Sequence, residues 1–313
     1  MNIRYLQYTQ IDHYKWDACI QQSVNGNVYA LSWYLDIVHY GWKALVYGDY
    51  EQVMPLTPGK KFGIHYLYQP IFTQQLGVFS KTPLSTHRVN QFIEAIPRAY
   101  KFVEVNLNAG NNTPTLAGKV SQFTNFELEL IHPYKQILAN YSENTRRNLR
   151  KAQQNSLLLS ESCTPEQLVE LFKNHKGMEL DRFTEREYKV LIHLIYTCIY
   201  KGLGKVRAVY TPENELCAAA FTTTFKNRTV FLFSGLSTKG KELAAMFLLL
   251  NSFIQERAET HHVFDFEGSN NPQLARFYKS FGSSAVQYPH LQINKLPLIL
   301  TTALRLIKKM RNR

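Results

Sequence analysis

Hydrophobic and polar positions alternate along the first part of the chain in two different periods, and the switches between them set out its elements. Ile3 to Tyr8 reads as a strand. Two helices follow, Ile11 to Gln22 and Leu31 to Tyr40, the second with Ser32 as its N-cap. Lys43 to Tyr47 and Gln52 to Leu56 are short strands around Gly48 and Asp49, a hairpin signal. Lys60, Lys61 and Gly63 mark a further turn. Ile64 to Tyr68 and Gly77 to Phe79 are apolar and aromatic. His87 to Ile96 is helical and stops at Pro97. Phe102 to Leu107 and Phe126 to Ile131 alternate as strands, and Asn-rich Asn106 to Asn112 lies between them. Strands and helices are interspersed in α/β order, which excludes a plain β-sandwich.

From Pro133 to Gln154 the chain is basic and helical. Leu157 to Ser160 is a strand, and Thr164-Pro165-Glu166 opens a helix striped by Leu168, Leu171 and Phe172. Glu187 to Tyr200 is a second helix, ended by Gly202 and Gly204. Three antiparallel strands are expected at Val206 to Tyr210, Leu216 to Phe225 and Thr229 to Phe233. A polar loop over Ser234 to Lys241 then leads into a helix, Glu242 to Arg257.

The stretch Val263 to Ser283, VFDFEGSNNPQLARFYKSFGS, follows that helix. Val263, Phe264 and Phe266 form a strand with Asp265 and Glu267 set into its end. Gly268 to Pro272 break it. Leu274, Phe277, Tyr278 and Phe281 then recur at helical spacing up to Gly282. Two carboxylates at a strand end and a tyrosine on the next helix can meet in one cleft.

Asn271, Leu274, Tyr278 and Gly282 resemble the last conserved segment of the GNAT acyltransferases, usually N-x-x-A-x-x-x-Y-x-x-x-G-F. The FDFEGS strand, the FYKSFG helix and the NTRRNLRKA segment from Asn144 to Ala152 resemble the bacterial branch that holds the Fem-type peptidyltransferases. This resemblance covers residues 130 to 290 well, and the first half by element order alone. It implies an α/β (α+β) fold of two tandem GNAT-like units, with mixed, mostly antiparallel sheets flanked by helices. The units are expected at 1–132 and 133–313, with the donor site in the second.

The resemblance also implies N-acyl transfer, with Tyr278 near the leaving atom as general acid. An amine must lose a proton to attack a thioester or ester carbonyl, and a partly buried carboxylate can take it. Glu267 is the expected base. Asp265 is the second candidate, because strand alternation puts both on one face; the alternative is that both pair with arginines such as Arg276. The family's pyrophosphate position corresponds to the junction of Ser234, Gly235, Leu236, Ser237, Lys239, Gly240 and Lys241, where a helix N-terminus and two lysines suit phosphate. STKGKE departs from the family's usual Q/R-x-x-G-x-G/A loop, so the donor is acyl-CoA or, as for Fem-type enzymes, an aminoacyl-tRNA. Asn271 belongs to the same expected cofactor set. Arg146 and Arg147 either hold a substrate phosphate or carboxylate or form a solvated helix face. His175 either lines the substrate groove or lies on the surface.

Composition narrows this picture only a little. Hydrophobic residues make up 45% of the chain, enough for sizeable cores. The formal net charge of +12 fits an anionic partner such as a nucleotide-bearing cofactor, tRNA or an acidic membrane surface. Cys19, Cys163, Cys198 and Cys217 are widely spaced and read as reduced core thiols, with no metal-ligand spacing. No apolar window reaches the roughly 18 residues of a membrane span, and the start lacks a signal-peptide run, so a cytoplasmic location is expected. Leu296 to Arg313 reads as a basic amphipathic helix that docks on its own domain or makes peripheral membrane contact. The acceptor is expected to be an amine on a small metabolite, sugar nucleotide or cell-envelope precursor. A non-catalytic GNAT-fold module that binds RNA or an anionic surface is the alternative function.

Overall fold

The computed structural model describes residues 2–115, 118–177, 183–268 and 271–296. Most of the expected C-terminal helix, and Ser269 and Asn270 of the expected turn, lie outside the described residues. The chain forms two compact units: Met1 to Phe123 together with the chain from Gln287 onward, and Thr124 to Val286. The division falls inside two strands, Lys119–Glu129 and Ser284–Asn294. The sequence division at 132/133 placed everything after it in the second unit.

In the first unit, β1 (Ile3–Leu6), α1 (His13–Gln22), α2 (Ser32–Val38), β2 (Lys43–Tyr47), β3 (Gln52–Leu56), β4 (Pro58–Lys61), β5 (Ile64–Tyr68), β6 (Phe79–Ser80), α3 (Thr86–Glu94) and β7 (Tyr100–Asn106) follow in order. One sheet runs β1-β2-β3-β6. Lys60 and Lys61, expected in a turn, instead pair with His65 and Ile64, and the turn is made by Phe62 and Gly63. The core gathers Leu45, Met54, Leu67 and Val103 from the strands, Leu107 from just beyond β7, and Val89, Phe92 and Ile93 from α3.

In chain order the later elements are β8 (Lys119–Glu129), α4 (Tyr134–Ala139), α5 (Glu143–Gln154), β9 (Leu158–Ser160), α6 (Pro165–Phe172), α7 (Glu185–Tyr200), β10 (Gly204–Tyr210), β11 (Leu216–Phe225), β12 (Arg228–Leu236), α8 (Thr238–Glu242), α9 (Ala245–Arg257), β13 (Val263–Asp265), α10 (Pro272–Lys279) and β14 (Ser284–Asn294), of which β8 begins in the first unit and β14 continues into it. The second unit is built on strands in the order β8-β13-β12-β11-β10-β9. The basic segment from Pro133 is two helices rather than one. Asn140 closes α4, and the Ser142 side chain caps α5 by accepting from the Thr145 amide. Leu149 and Ala152 of α5 pack with Leu249, Leu250, Phe253 and Ile254 of α9 against Ala218, Ala220 and Phe264. On β12, Gly235 has no side chain because α6 lies against it: a Cβ there would stand 3.0 Å from the Phe172 amide nitrogen.

All four cysteines are buried and unpaired. Burial pushes the Cys198 thiol up to about 12 and raises the other three. They are inert core thiols rather than nucleophiles. Among the described residues, no helix is long and apolar enough to cross a membrane, and no group of three or more His, Cys, Asp and Glu stands together as a metal site.

Candidate active site

The site forms where two parallel strands stop pairing. β12 and β13 run side by side only through Arg228–Val263, Thr229–Phe264 and Val230–Asp265. β12 then continues to Leu236, with no strand beside it on that edge among the described residues. Two local features separate the chains. On its other edge β12 carries a bulge: Phe231 and Phe233 pair with Thr222 and Phe221, which leaves Leu232 as an extra residue. Such a bulge bends a strand and increases its twist. Beyond Asp265 the chain leans the opposite way, onto β8. The Phe266 amide donates to the Phe126 carbonyl at 2.9 Å. Gly268 has φ +38°, and a Cβ there would lie 2.4 Å from Asn125 Cα and from the Thr124 carbonyl oxygen. Only glycine lets the backbone come that close.

Glu267 stands at the point of departure. Its φ of 57° is left-handed, a conformation that costs a non-glycine residue about 1–3 kcal/mol unless its surroundings hold it. The holding group is Asp265, whose Oδ1 accepts the Glu267 amide at 2.8 Å. Strand alternation therefore ends at Asp265, and the two carboxylates do not sit as successive residues of one strand face. Asp265 is buried, 3% exposed, and its partner is Arg228 rather than Arg276. Arg228 Nη1 lies 2.7 Å from Asp265 Oδ2 and 2.8 Å from Glu127 Oε1. Asn125 Nδ2 donates to Asp265 Oδ1 at 2.9 Å and to Glu127 Oε1 at 3.1 Å. Burial holds the Asp265 carboxyl above the usual range, and the Arg228 guanidinium offsets only part of that. The same carboxylates lift the already basic Arg228 further, against its own desolvation.

Tyr278 comes from α10. Asn271 caps that helix, its Oδ1 accepting from the amides of Gln273 (2.9 Å) and Leu274 (3.4 Å), and Pro272 fills the first turn. Phe277 and Phe281 turn into the core, where they pack on Phe247. Tyr278 lies along Phe266, ring centroids 5.1 Å apart and planes 28° from parallel, with Phe126 at 6.3 Å. Its phenol is held well above the usual tyrosine range, first by burial and then by the charge of Glu267. The Glu267 carboxylate and the Tyr278 phenol thus share one neighbourhood.

The junction after β12 is not the loop expected from sequence. Ser234, Gly235 and Leu236 are still strand, paired with Ala220, Ala219 and Ala218. Ser237 caps the five-residue α8, and its Oγ accepts the Gly240 amide at 2.9 Å. A Cβ on Gly240 would lie 2.1 Å from the Cys217 carbonyl oxygen. The two glycines therefore admit protein backbone, not a ligand, and one of the amides expected for phosphate is already used. Lys239 and Lys241 remain exposed. His175 is exposed on a π-helical turn, Lys173–Gly177, that follows α6. Arg146 and Arg147 lie on α5, where they donate to the Ala139 carbonyl and to Asn144 Oδ1. The structure sets Tyr278 against Phe266, the residue between Asp265 and Glu267, and it leaves the arginines on a separate helix face.

Sequence reasoning missed Arg228, Asn125 and Glu127. Asn125 and Glu127 are two apart on β8 and so share a face, a signal present in TNFELE; nothing in KNRT singles out Arg228.

No family model matches the chain, and no curated protein matches it at the level of sequence. Solved structures do. FemX superimposes with a TM-score of 0.68 at 12% identity, over 95% of this chain and 99% of that one. A DUF2156 domain from Agrobacterium fabrum gives 0.57 at 13%, over 94% and 95%. L-PGS from Bacillus licheniformis gives 0.52 at 12%, over 94% and 95%. The chain has the GNAT-like, Fem-type fold that its C-terminal motifs implied. At such identities the likeness shows the fold alone and not the reaction.

Proposed function

We propose that the protein is an N-acyltransferase that moves an acyl or aminoacyl group from a phosphate-bearing donor to an amine by direct attack. The observation that supports this is the Glu267–Tyr278 pair at the point where β12 and β13 part. The amine gives its proton to the Glu267 carboxylate as its nitrogen bonds to the donor carbonyl carbon. The tetrahedral adduct then collapses, and the leaving sulfur or oxygen takes the phenolic proton of Tyr278. The phenolate recovers a proton from Glu267, which restores both groups. Asp265 acts as a positioning residue by fixing the Glu267 amide. Ser234, Gly235 and Leu236 lie along the free stretch of β12 and would border the donor. Lys239 and Lys241 would meet its phosphates through their side chains, held out by the Ser237 cap and the Gly240 packing of α8, with Asn271 at the start of α10.

The raised phenol favours one donor class. A thiol ionises near 8.5, so a departing thiolate draws little from an acid above 10. The oxygen leaving an ester is a far stronger base and takes that proton readily. The aminoacyl ester of a tRNA therefore fits the site better than acyl-CoA. The net charge of +12 suits either polyanion. The acceptor remains an amine on a metabolite, sugar nucleotide or cell-envelope precursor, and His175 would lie on the approach to it.

Thermal unfolding with each donor tests this reading. A charged tRNA at a hundredfold excess over its Kd is expected to raise Tm by about 5 to 10 °C, and acyl-CoA by less. If neither moves the midpoint, the transferase reading has no donor and fails.

A further inference from the structure

The turn that carries Glu267 is laid on β8, and one residue of β8 meets it at both ends. Asn125 is fully buried, 0% exposed. Its carboxamide nitrogen carries two hydrogens and gives both to carboxylates, Asp265 Oδ1 at 2.9 Å and Glu127 Oε1 at 3.1 Å. Asp265 Oδ1 also accepts the Glu267 amide, and Asp265 Oδ2 accepts from Arg228 Nη1 at 2.7 Å. With Asn125 on one oxygen and Arg228 on the other, the carboxyl plane of Asp265 is fixed and Oδ1 is aimed at the Glu267 amide. One residue on, the Phe266 amide is bound to the Phe126 carbonyl. Beyond Glu267, Gly268 rests directly on Asn125 Cα and the Thr124 carbonyl oxygen, with no room for a Cβ.

Glu267 is thus bracketed. Its left-handed φ of 57° persists only where the surroundings over-determine it, and Asn125 supplies a contact on each side. The residue type matters. A leucine of similar size would leave two carboxylate oxygens without a donor, and an aspartate would add a third carboxylate to the two that share Arg228. We propose that Asn125 is a positioning residue of the site: it sets where the Glu267 carboxylate stands, through Asp265 on one side of the turn and Gly268 on the other. Sealed from solvent, it meets no substrate and acts through Glu267. Its effect on rate rests on the transferase reading above; its effect on Glu267 rests on the geometry of the turn.

Two readouts of the full-length Asn125→Ala chain test this. Single-turnover transfer from a charged tRNA should slow by about tenfold to a hundredfold, the upper figure being the cost of a misplacement of about 1 Å, with the Kd for the tRNA unchanged. The Tyr278 phenol, followed by NMR of ring-labelled tyrosine, senses the Glu267 charge, so its titration should move toward lower pH in the same chain. Placed on top of Glu267→Gln, Asn125→Ala should add nothing to either effect, because it works through that carboxylate. Additive effects, or parent rate and parent titration in Asn125→Ala, overturn the proposal. Gly268→Ala keeps the carboxamide and presses on the other end of the turn, and it decides the matter if Asn125→Ala does not fold. It should slow transfer and shift the titration in the same direction, and parent behaviour there contradicts the clamp. The two readings fail separately: parent-rate transfer by Glu267→Gln removes the transferase reading, while the Tyr278 titration still decides whether Asn125 places Glu267.

Discussion

Replacing Glu267 by glutamine is expected to lower the rate of amide formation by about 10²- to 10⁴-fold, the range a general base contributes, while leaving thermal stability as it was. The substitution keeps the side chain's length and its backbone amide, so the Asp265 hydrogen bond and the left-handed turn survive. What is lost is the ability to hold the amine's proton. Single-turnover transfer from a charged tRNA to an amine acceptor measures this directly. A variant that transfers at the parent rate removes Glu267 from the chemistry and returns the chain to a binding role.

The second large effect falls on stability. Arg228→Met leaves Asp265 and Glu127 as unpaired carboxylates beneath the site, and Asp265 is nearly sealed from solvent. Breaking a buried pair by removing one partner typically costs about 3–5 kcal/mol, and urea unfolding of the full chain should show a loss of that size. Its pH dependence follows from the sign of the shift. Burial already holds the folded-state pKa of Asp265 above its unfolded value, and without the guanidinium, the main group opposing it, that pKa rises further. The folded chain then binds a proton that the unfolded chain releases, and the deficit is largest at neutral pH and shrinks on acidification toward about 4. Converting Asp265 and Glu127 to their amides in the same chain should recover part of the loss, because amides carry no charge to bury. A loss below about 1 kcal/mol means that the network is solvated and does not fix Glu267.

Much of the architecture was legible because it rests on local pattern. The stripe of α6, the three successive strands β10 to β12 and the strand–turn–helix from Val263 to Gly282 were all written in period and punctuation. What stayed hidden depended on contacts far apart in sequence. That Ser234 to Leu236 extend a strand follows from pairing with Ala218 to Ala220, small residues with no turn or strand signature of their own. Gly240 looked like a ligand-facing glycine, but its reason is the Cys217 carbonyl. Asp265 looked like a second base, and its partner Arg228 lies 37 positions away. Glycines and carboxylates have several structural uses each, and only tertiary packing selects one.

The account turns on whether the Glu267 charge reaches the Tyr278 phenol, and that can be read without any substrate. With ring-labelled tyrosine and a Tyr278→Phe chain to assign the signal, the ring-carbon resonance of Tyr278 is followed from pH 8 to the alkaline limit of the fold. Burial and the neighbouring carboxylate both favour the neutral phenol, so it should keep its proton well beyond the ordinary midpoint near 10. In Glu267→Gln the titration should move toward lower pH while staying above 10, since burial remains and the charge does not. An ordinary midpoint in the parent chain, or identical titrations in the two chains, would place the groups in separate surroundings and contradict the site.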